Sequence, residues 1–163
     1  ASSTGEEPYT LAMVISEFAA ANAHYKFKIR ATDLSTQVLR HAHHAVYSDN
    51  RIGPITLPLR KKYLLRSKDK TAHRVRFVPK LRHAIQYQRL NLLSDPFPSN
   101  PPPDIIFCRN VFIYFDRATQ EDIVKRMCAI MRKGSYLFIG HSETLNGMDI
   151  PLQQLDSTIY KKI

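Results

Sequence analysis

Three groups of residues have the types and spacing to do chemistry. The first is Ser3-Thr4-Gly5-Glu6-Glu7-Pro8-Tyr9. A turn of small residues ahead of a helix lets a ligand approach the backbone closely. Two carboxylates there would repel a phosphate and suit a ligand bearing an amine or another cation. They would equally complement the helix dipole, an effect of about 0.3 to 1 kcal/mol. The second is Asp33, just past the apolar–polar alternation of residues 27–32. An acid at the carboxyl end of an early α/β strand can accept two hydrogen bonds from a ribose diol; it can also cap the next helix. The 28 residues from Gly5 to Asp33 match one helix plus one strand, as a nucleoside site needs. The third is Phe107-Cys108-Arg109-Asn110, after the apolar run 104–108. Polar residues that follow a buried strand stand at the carboxyl edge of a sheet, where open α/β sheets bind ligands. Cys108 reads as a small buried hydrophobe rather than a nucleophile. Arg109 is a carboxylate guide or the ion-pair partner of an acid such as Asp116.

The elements that must position these residues alternate in α/β order. Residues 8–22 predict a helix with Pro8 in its first turn and Leu11, Met13, Val14, Ile15 and Phe18 on a wide apolar face. A strand at 27–32 and a helix at 35–46, capped by Asp33 or Ser35, follow. Residues 48–58 read as a turn-rich break, and 73–78 and 84–90 as strands of a small sheet with a basic wet face. The five prolines of residues 94–103 demand a loop. Residues 104–108 predict a buried parallel strand. A helix at 117–131 capped by Asp116, a strand at 135–140 and a final edge strand at 157–162 complete the chain. Val111–Phe115 reads mostly as core, with the Tyr114 hydroxyl free to face a site.

Composition bounds the class. The 163 residues are 44% hydrophobic and 23% charged, enough for a real core and unlike a disordered chain. No apolar run approaches the roughly 18 to 20 residues of a membrane span, and residues 1–9 do not resemble a secretory signal. Two cysteines make no disulfide framework and point to a reducing compartment. The net charge of +10 is concentrated in Arg60, Lys61, Lys62, Arg66, Lys68, Lys70, Arg74, Arg76, Lys80, Arg82 and Arg89, opposed only by Asp69. Such a segment attracts an anionic partner or is simply a solvated face. Nucleic acid is the competing partner, but Tyr63, Phe77 and Tyr87 are few aromatics for a stacking platform. His41, His43 and His44 cluster on a predicted helix without a nearby acid or cysteine at ligand spacing, so no metal is expected.

Taken in order, S-T-G-E-E-P-Y, A-T-D, N-L-L, I-F-C-R-N-V-x-I-Y-F-D and G-H-S-E-T-L resemble the CheR chemotaxis receptor methyltransferases over nearly the whole chain. The resemblance implies a class I S-adenosylmethionine-dependent (Rossmann-like) α/β fold with a small inserted antiparallel β-subdomain. It divides the chain into 1–51 and 91–163, two parts of the methyltransferase domain, around a basic insertion at 52–90. It implies methyl transfer from S-adenosylmethionine, giving S-adenosylhomocysteine, to glutamates on chemoreceptor cytoplasmic helices. By matching position, Thr4, Gly5 and Glu6 would bind the cofactor, with Glu6 at its methionine end. Asp33 would hold the ribose, and Asn91 and Leu92 would flank the adenine. Arg109 and Asn110 would line the pocket, and Arg109 and Tyr114 would serve catalysis. Arg74 and Arg76 would dock the acidic receptor. A cytoplasmic monomer is expected, with no nucleic-acid partner and no membrane insertion. The family also carries a helical N-terminal domain and a strand ahead of the S-T-G-E-E loop. This sequence opens inside that loop, which implies an N-terminally shortened chain without its first strand. The family's Pro-Gly-Gly turn is Arg132-Lys133-Gly134-Ser135 here, and one glycine suffices for a helix C-cap.

Overall fold

The computed structural model describes residues 1–22 and 24–163, leaving aside the side chain of Lys70. The chain forms two compact units, residues 2–89 and residues 90–163 with Ala1.

The first unit begins with α1 (Glu6–Ala21), which buries Tyr9, Ala12, Met13 and Ser16, spaced to share one face. Val14 and Phe18, expected on the apolar face, are instead 60% and 54% exposed. α1 carries apolar residues almost all round. The stripe with Ala12 and Ser16 is the one that allows close approach. β1 (Ile29–Asp33) and β5 (Ile85–Arg89) pair in parallel, with Asp33 opposite Arg89. The strand expected at 84–90 therefore forms, but in the parallel pair and not in the small antiparallel sheet. α2 (Thr36–His44) starts where Ser35 accepts a hydrogen bond from Val38 N. It stops two residues before the expected 46, because Ala45 takes φ 58° and turns the chain into β2.

β2 (Val46–Ser48), β3 (Leu64–Arg66) and β4 (Arg74–Phe77) make an antiparallel sheet in the order β2-β4-β3. The segment expected to be turns gives way at Leu57 to α3 (Leu57–Tyr63), and α4 (Pro79–His83) leads back to β5. β4 alternates, with Val75 and Phe77 buried and Arg74 and Arg76 exposed. The core collects Tyr9, Tyr47, Tyr63, Phe77 and Leu81. Tyr9 stacks on Phe77 at 4.3 Å between ring centroids, and Tyr47 meets both edge-on.

The second unit contains β6 (Ile105–Phe107), α5 (Arg117–Ile130), β7 (Tyr136–Phe138), β8 (Leu152–Asp156) and β9 (Ile159–Lys162). Its sheet runs β6-β7-β9-β8, with β6 and β7 parallel and the rest antiparallel. α5 starts at Asp116, whose carboxylate accepts from Thr119 N at 2.8 Å, and these bonds to the helix start hold its pKa below the ordinary value. Ile123, Val124, Met127 and Cys128 form its inner face. Two expectations change. β9 is interior rather than an edge, because β8 covers its far side. β6 is parallel as expected but lies at the sheet's end, leaving Ile105 47% exposed. No helix among the described residues is long and apolar enough to cross a membrane.

Candidate active site

The small-residue loop and Asp33 meet at the carboxyl end of β1. Ser2 N donates to Thr32 O at 2.7 Å, and Gly5 N folds back to Ser2 O at 3.1 Å. Ser3 (φ 47°) and Gly5 (φ 95°) are both left-handed, which closes the turn and starts α1. A Cβ on Gly5 would stand 2.7 Å from Ala42 Cβ and 2.9 Å from the Tyr47 hydroxyl, so only glycine fits. Asp33 accepts from Ser3 N through Oδ2 (2.9 Å) and from Ser35 N through Oδ1 (3.0 Å). One carboxylate thus ties the loop to the start of α2.

Beneath the loop, the Tyr47 hydroxyl donates to Thr4 O at 2.6 Å and the Tyr9 hydroxyl to Ala42 O at 3.0 Å. Burial pushes both phenol pKa values up, and the charge of Glu6 adds to the effect at Tyr47. Glu6 is already engaged: Thr4 Oγ1 donates to Oε2 at 2.6 Å, and Arg51 pairs with Oε1 at 2.5 Å across a largely exposed contact. Arg51 lies outside every motif read in the sequence. Only the fold brings it 45 positions back to Glu6.

Chemically, this end of β1 fits a nucleoside-bearing cofactor. Each Asp33 oxygen takes one backbone N–H and keeps a second acceptor position, the arrangement that two diol hydroxyls require. Ser2 Oγ is buried with no hydrogen-bond partner among the described residues. Capacity of that kind is what a bound polar group takes up.

Arg74 and Arg76 lie in the same unit but on the antiparallel sheet. Arg76 Nε donates to His44 O at 3.0 Å. Arg74 lines an open cleft of about 650 Å³ with His41, His44, Tyr47, Arg51 and His73, and no acid is among its lining residues. Among the described residues no three potential metal ligands converge.

The remaining candidates belong to the second unit. Asn91 and Leu92 open a tight turn in which Asn91 N donates to Asp95 Oδ2 (2.7 Å) and Leu93 N to Asn91 Oδ1 (3.0 Å). The Arg126 guanidinium clamps it through Leu92 O (2.6 Å), Leu93 O (3.1 Å) and Asp95 O (2.5 Å), and lies over the Phe97 ring. Cys108 is buried, as expected. Arg109 is partly buried, and Asn110 is left-handed at φ 57°. Tyr114 is 76% exposed and Ile113 55%, so the expected core run is core at Val111 and Phe112, with Phe115 partly buried against the same cluster. In G-H-S-E, His141 is exposed. The buried member is Glu143, which accepts four backbone N–H groups. Sequence reasoning does not single it out, because three of its four partners are more than 30 positions away. Its one visible signal is a carboxylate just after a strand.

Comparisons agree with the motifs. The family described as "CheR methyltransferase, SAM binding domain" matches residues 1–161. The chain is 38% identical over 161 residues to a chemotaxis protein methyltransferase of Borreliella burgdorferi, covering 98% of this chain and 56% of the relative. It is 37% identical to chemotaxis protein methyltransferase 2 of Pseudomonas aeruginosa (98% and 57%) and 33% identical to the Escherichia coli chemotaxis protein methyltransferase (98% and 56%). The chain spans about half the length of the curated relatives it matches. By sequence over nearly its whole length, and with the α/β class that its strands and helices build, this chain belongs to the CheR methyltransferase family through its S-adenosylmethionine-binding domain.

Proposed function

We propose that the chain holds S-adenosylmethionine and that the protein it belongs to methylates glutamate side chains of chemoreceptors in the cytoplasm. The observation that carries this reading is the Asp33 carboxylate, pinned at the end of β1 against the Ser3–Gly5 loop with acceptor capacity to spare. When bound, the cofactor supplies a methyl group on a sulfonium that departs as a neutral thioether. Asp33 would orient the ribose hydroxyls. Thr4, Gly5 and Glu6 would face the methionine end. The Asn91-Leu92 turn would present backbone and side chain to the adenine. Arg109 and Asn110 would line the cofactor side of the acceptor position, with the Arg109 fork aligning the incoming carboxylate and the exposed Tyr114 beside it.

An acceptor glutamate is ionised at neutral pH, its reference pKa being about 4.3. No general base is needed. The work left to the protein is alignment, which supplies roughly 7 to 11 kcal/mol in well-oriented reactions. The antiparallel sheet, with Arg74 and Arg76 outward on β4, would meet an acidic receptor surface.

The test is calorimetric titration with S-adenosylhomocysteine. Wild-type chain should bind, and Asp33→Ala should not, while keeping its far-UV circular dichroism. Equal binding by the two, or none by the wild type, overturns the assignment. Charge reversal at Arg74 and Arg76 should slow receptor methylation by the full-length protein and leave the S-adenosylhomocysteine affinity unchanged. Equal loss of both refutes the docking role.

A further inference from the structure

We infer that Glu143 is a positioning residue for the Arg109–Phe112 turn: its buried carboxylate locks together the loops that follow the parallel strands β6 and β7. The inference rests on the cofactor reading above, because the turn it locks carries Arg109 and Asn110.

The geometry is specific. Glu143 Oε1 accepts from Val111 N and Phe112 N, both at 2.8 Å. Oε2 accepts from Asn110 N at 3.0 Å and from Gly140 N at 2.6 Å. Three consecutive amides converging on one point form a backbone nest for an anion. In this turn the anion is the protein's own side chain, only 8% exposed. Convergence requires Asn110 to leave the extended region, and it does so at φ 57°. Arg109 therefore projects from a backbone whose next three amides are all held by one group. The fourth amide belongs to the loop after β7. The two loops leave the carboxyl ends of neighbouring parallel strands, the edge where α/β sheets bind ligands.

Gly140 makes the contact possible. A Cβ there would stand 2.7 Å from Glu143 Oε2 and 2.9 Å from Asn110 N. Its conformation suits any residue, so the requirement is one of space. The double occupancy of both oxygens also excludes glutamine. Turning either oxygen into NH₂ leaves two backbone N–H groups facing a donor, whichever way the amide is flipped.

The experiment compares wild type, Glu143→Gln, Gly140→Ala and Val124→Ala by amide hydrogen exchange and by titration with S-adenosylhomocysteine. Val124→Ala truncates a fully buried side chain of α5 and destabilises the same unit without touching the turn. Glu143→Gln and Gly140→Ala should each speed exchange at Asn110, Val111, Phe112 and Gly140 by about tenfold or more and weaken binding by about tenfold, whereas Val124→Ala should leave affinity within about twofold. Unchanged exchange at those four amides overturns the inference. So does a loss of affinity in Val124→Ala equal to that in Glu143→Gln, which would make the role one of stability alone. If Glu143→Gln does not fold, Gly140→Ala decides, since it keeps the carboxylate and displaces it. Failure of the wild type to bind would refute the cofactor reading, and the exchange comparison would still decide whether Glu143 pins the turn.

Discussion

Replacing Gly5 by alanine probes the loop that the proposed function depends on, and Gly134→Ala provides its control. Both glycines are left-handed, at φ 95° and 90°. An L-residue in that region costs about 1 to 2 kcal/mol. Around Gly134 a new Cβ would meet nothing within 4 Å, so this backbone cost is the whole effect. At Gly5 the same Cβ would press on Ala42 Cβ at 2.7 Å, the Tyr47 hydroxyl at 2.9 Å and the Tyr87 hydroxyl at 3.0 Å. The two hydroxyls lie in a packed aromatic cluster, and Tyr47 is tied to Thr4 O. None of the three is the free end of a flexible chain. Overpacking of this kind adds about 1 to 3 kcal/mol. The totals are about 2 to 5 kcal/mol for Gly5→Ala and about 1 to 2 kcal/mol for Gly134→Ala. Hydrogen exchange reads each cost in its own unit, at Ala31 of β1 and at Leu137 of β7. Equal costs would refute the packing argument and with it the loop's seat against α2 and Tyr47.

Two other outcomes follow from buried or clamped groups. Tyr9 and Tyr47 are buried and their pKa values are raised. A raised folded-state pKa contributes stability that is fully present below the unfolded value of about 10 and is lost as pH climbs above it. The unfolding free energy from urea titrations should therefore fall steeply above about pH 10, by up to about 1.4 kcal/mol per pH unit for each tyrosine, with the tyrosinate absorbance of these two residues appearing on unfolding. Ionisation of Tyr9 or Tyr47 before unfolding, read as the absorbance difference between wild type and Tyr9→Phe or Tyr47→Phe, would refute their burial. Arg126→Met keeps an apolar stem over Phe97 but removes three bonds to the Asn91–Asp95 turn. It should cost about 1 to 3 kcal/mol and speed exchange at Leu93 N and Asp95 N; unchanged exchange there would show that the turn holds itself.

The site was legible where its determinants were local. The Asp33 placement needed only a strand pattern ending in an acid, and the Asp116 cap needed only the helix pattern beside it. The loop around Gly5 was marked by its own residue types. The contacts that hold the candidate residues within each unit were not legible. Arg51 on Glu6, Tyr47 on Thr4, Arg126 on Leu92 and Glu143 on Asn110 are separated by 45, 43, 34 and 33 positions. No periodicity links such partners, and only the fold makes them neighbours.

The same division runs through the architecture. Residue pattern alone determined the α/β class, the basic middle of the chain and most strands and helices, because backbone preference and amphipathic spacing act over a few residues. Tertiary structure decided which strands pair. β5 looks like its antiparallel neighbours in sequence yet lies parallel to β1. β9 reads as an edge yet is interior, because the mostly exposed β8, with no apolar alternation to announce it, pairs along its free side. Strand partners are chosen by burial and hydrogen bonding across long separations, and those energies exist only once the chain has folded.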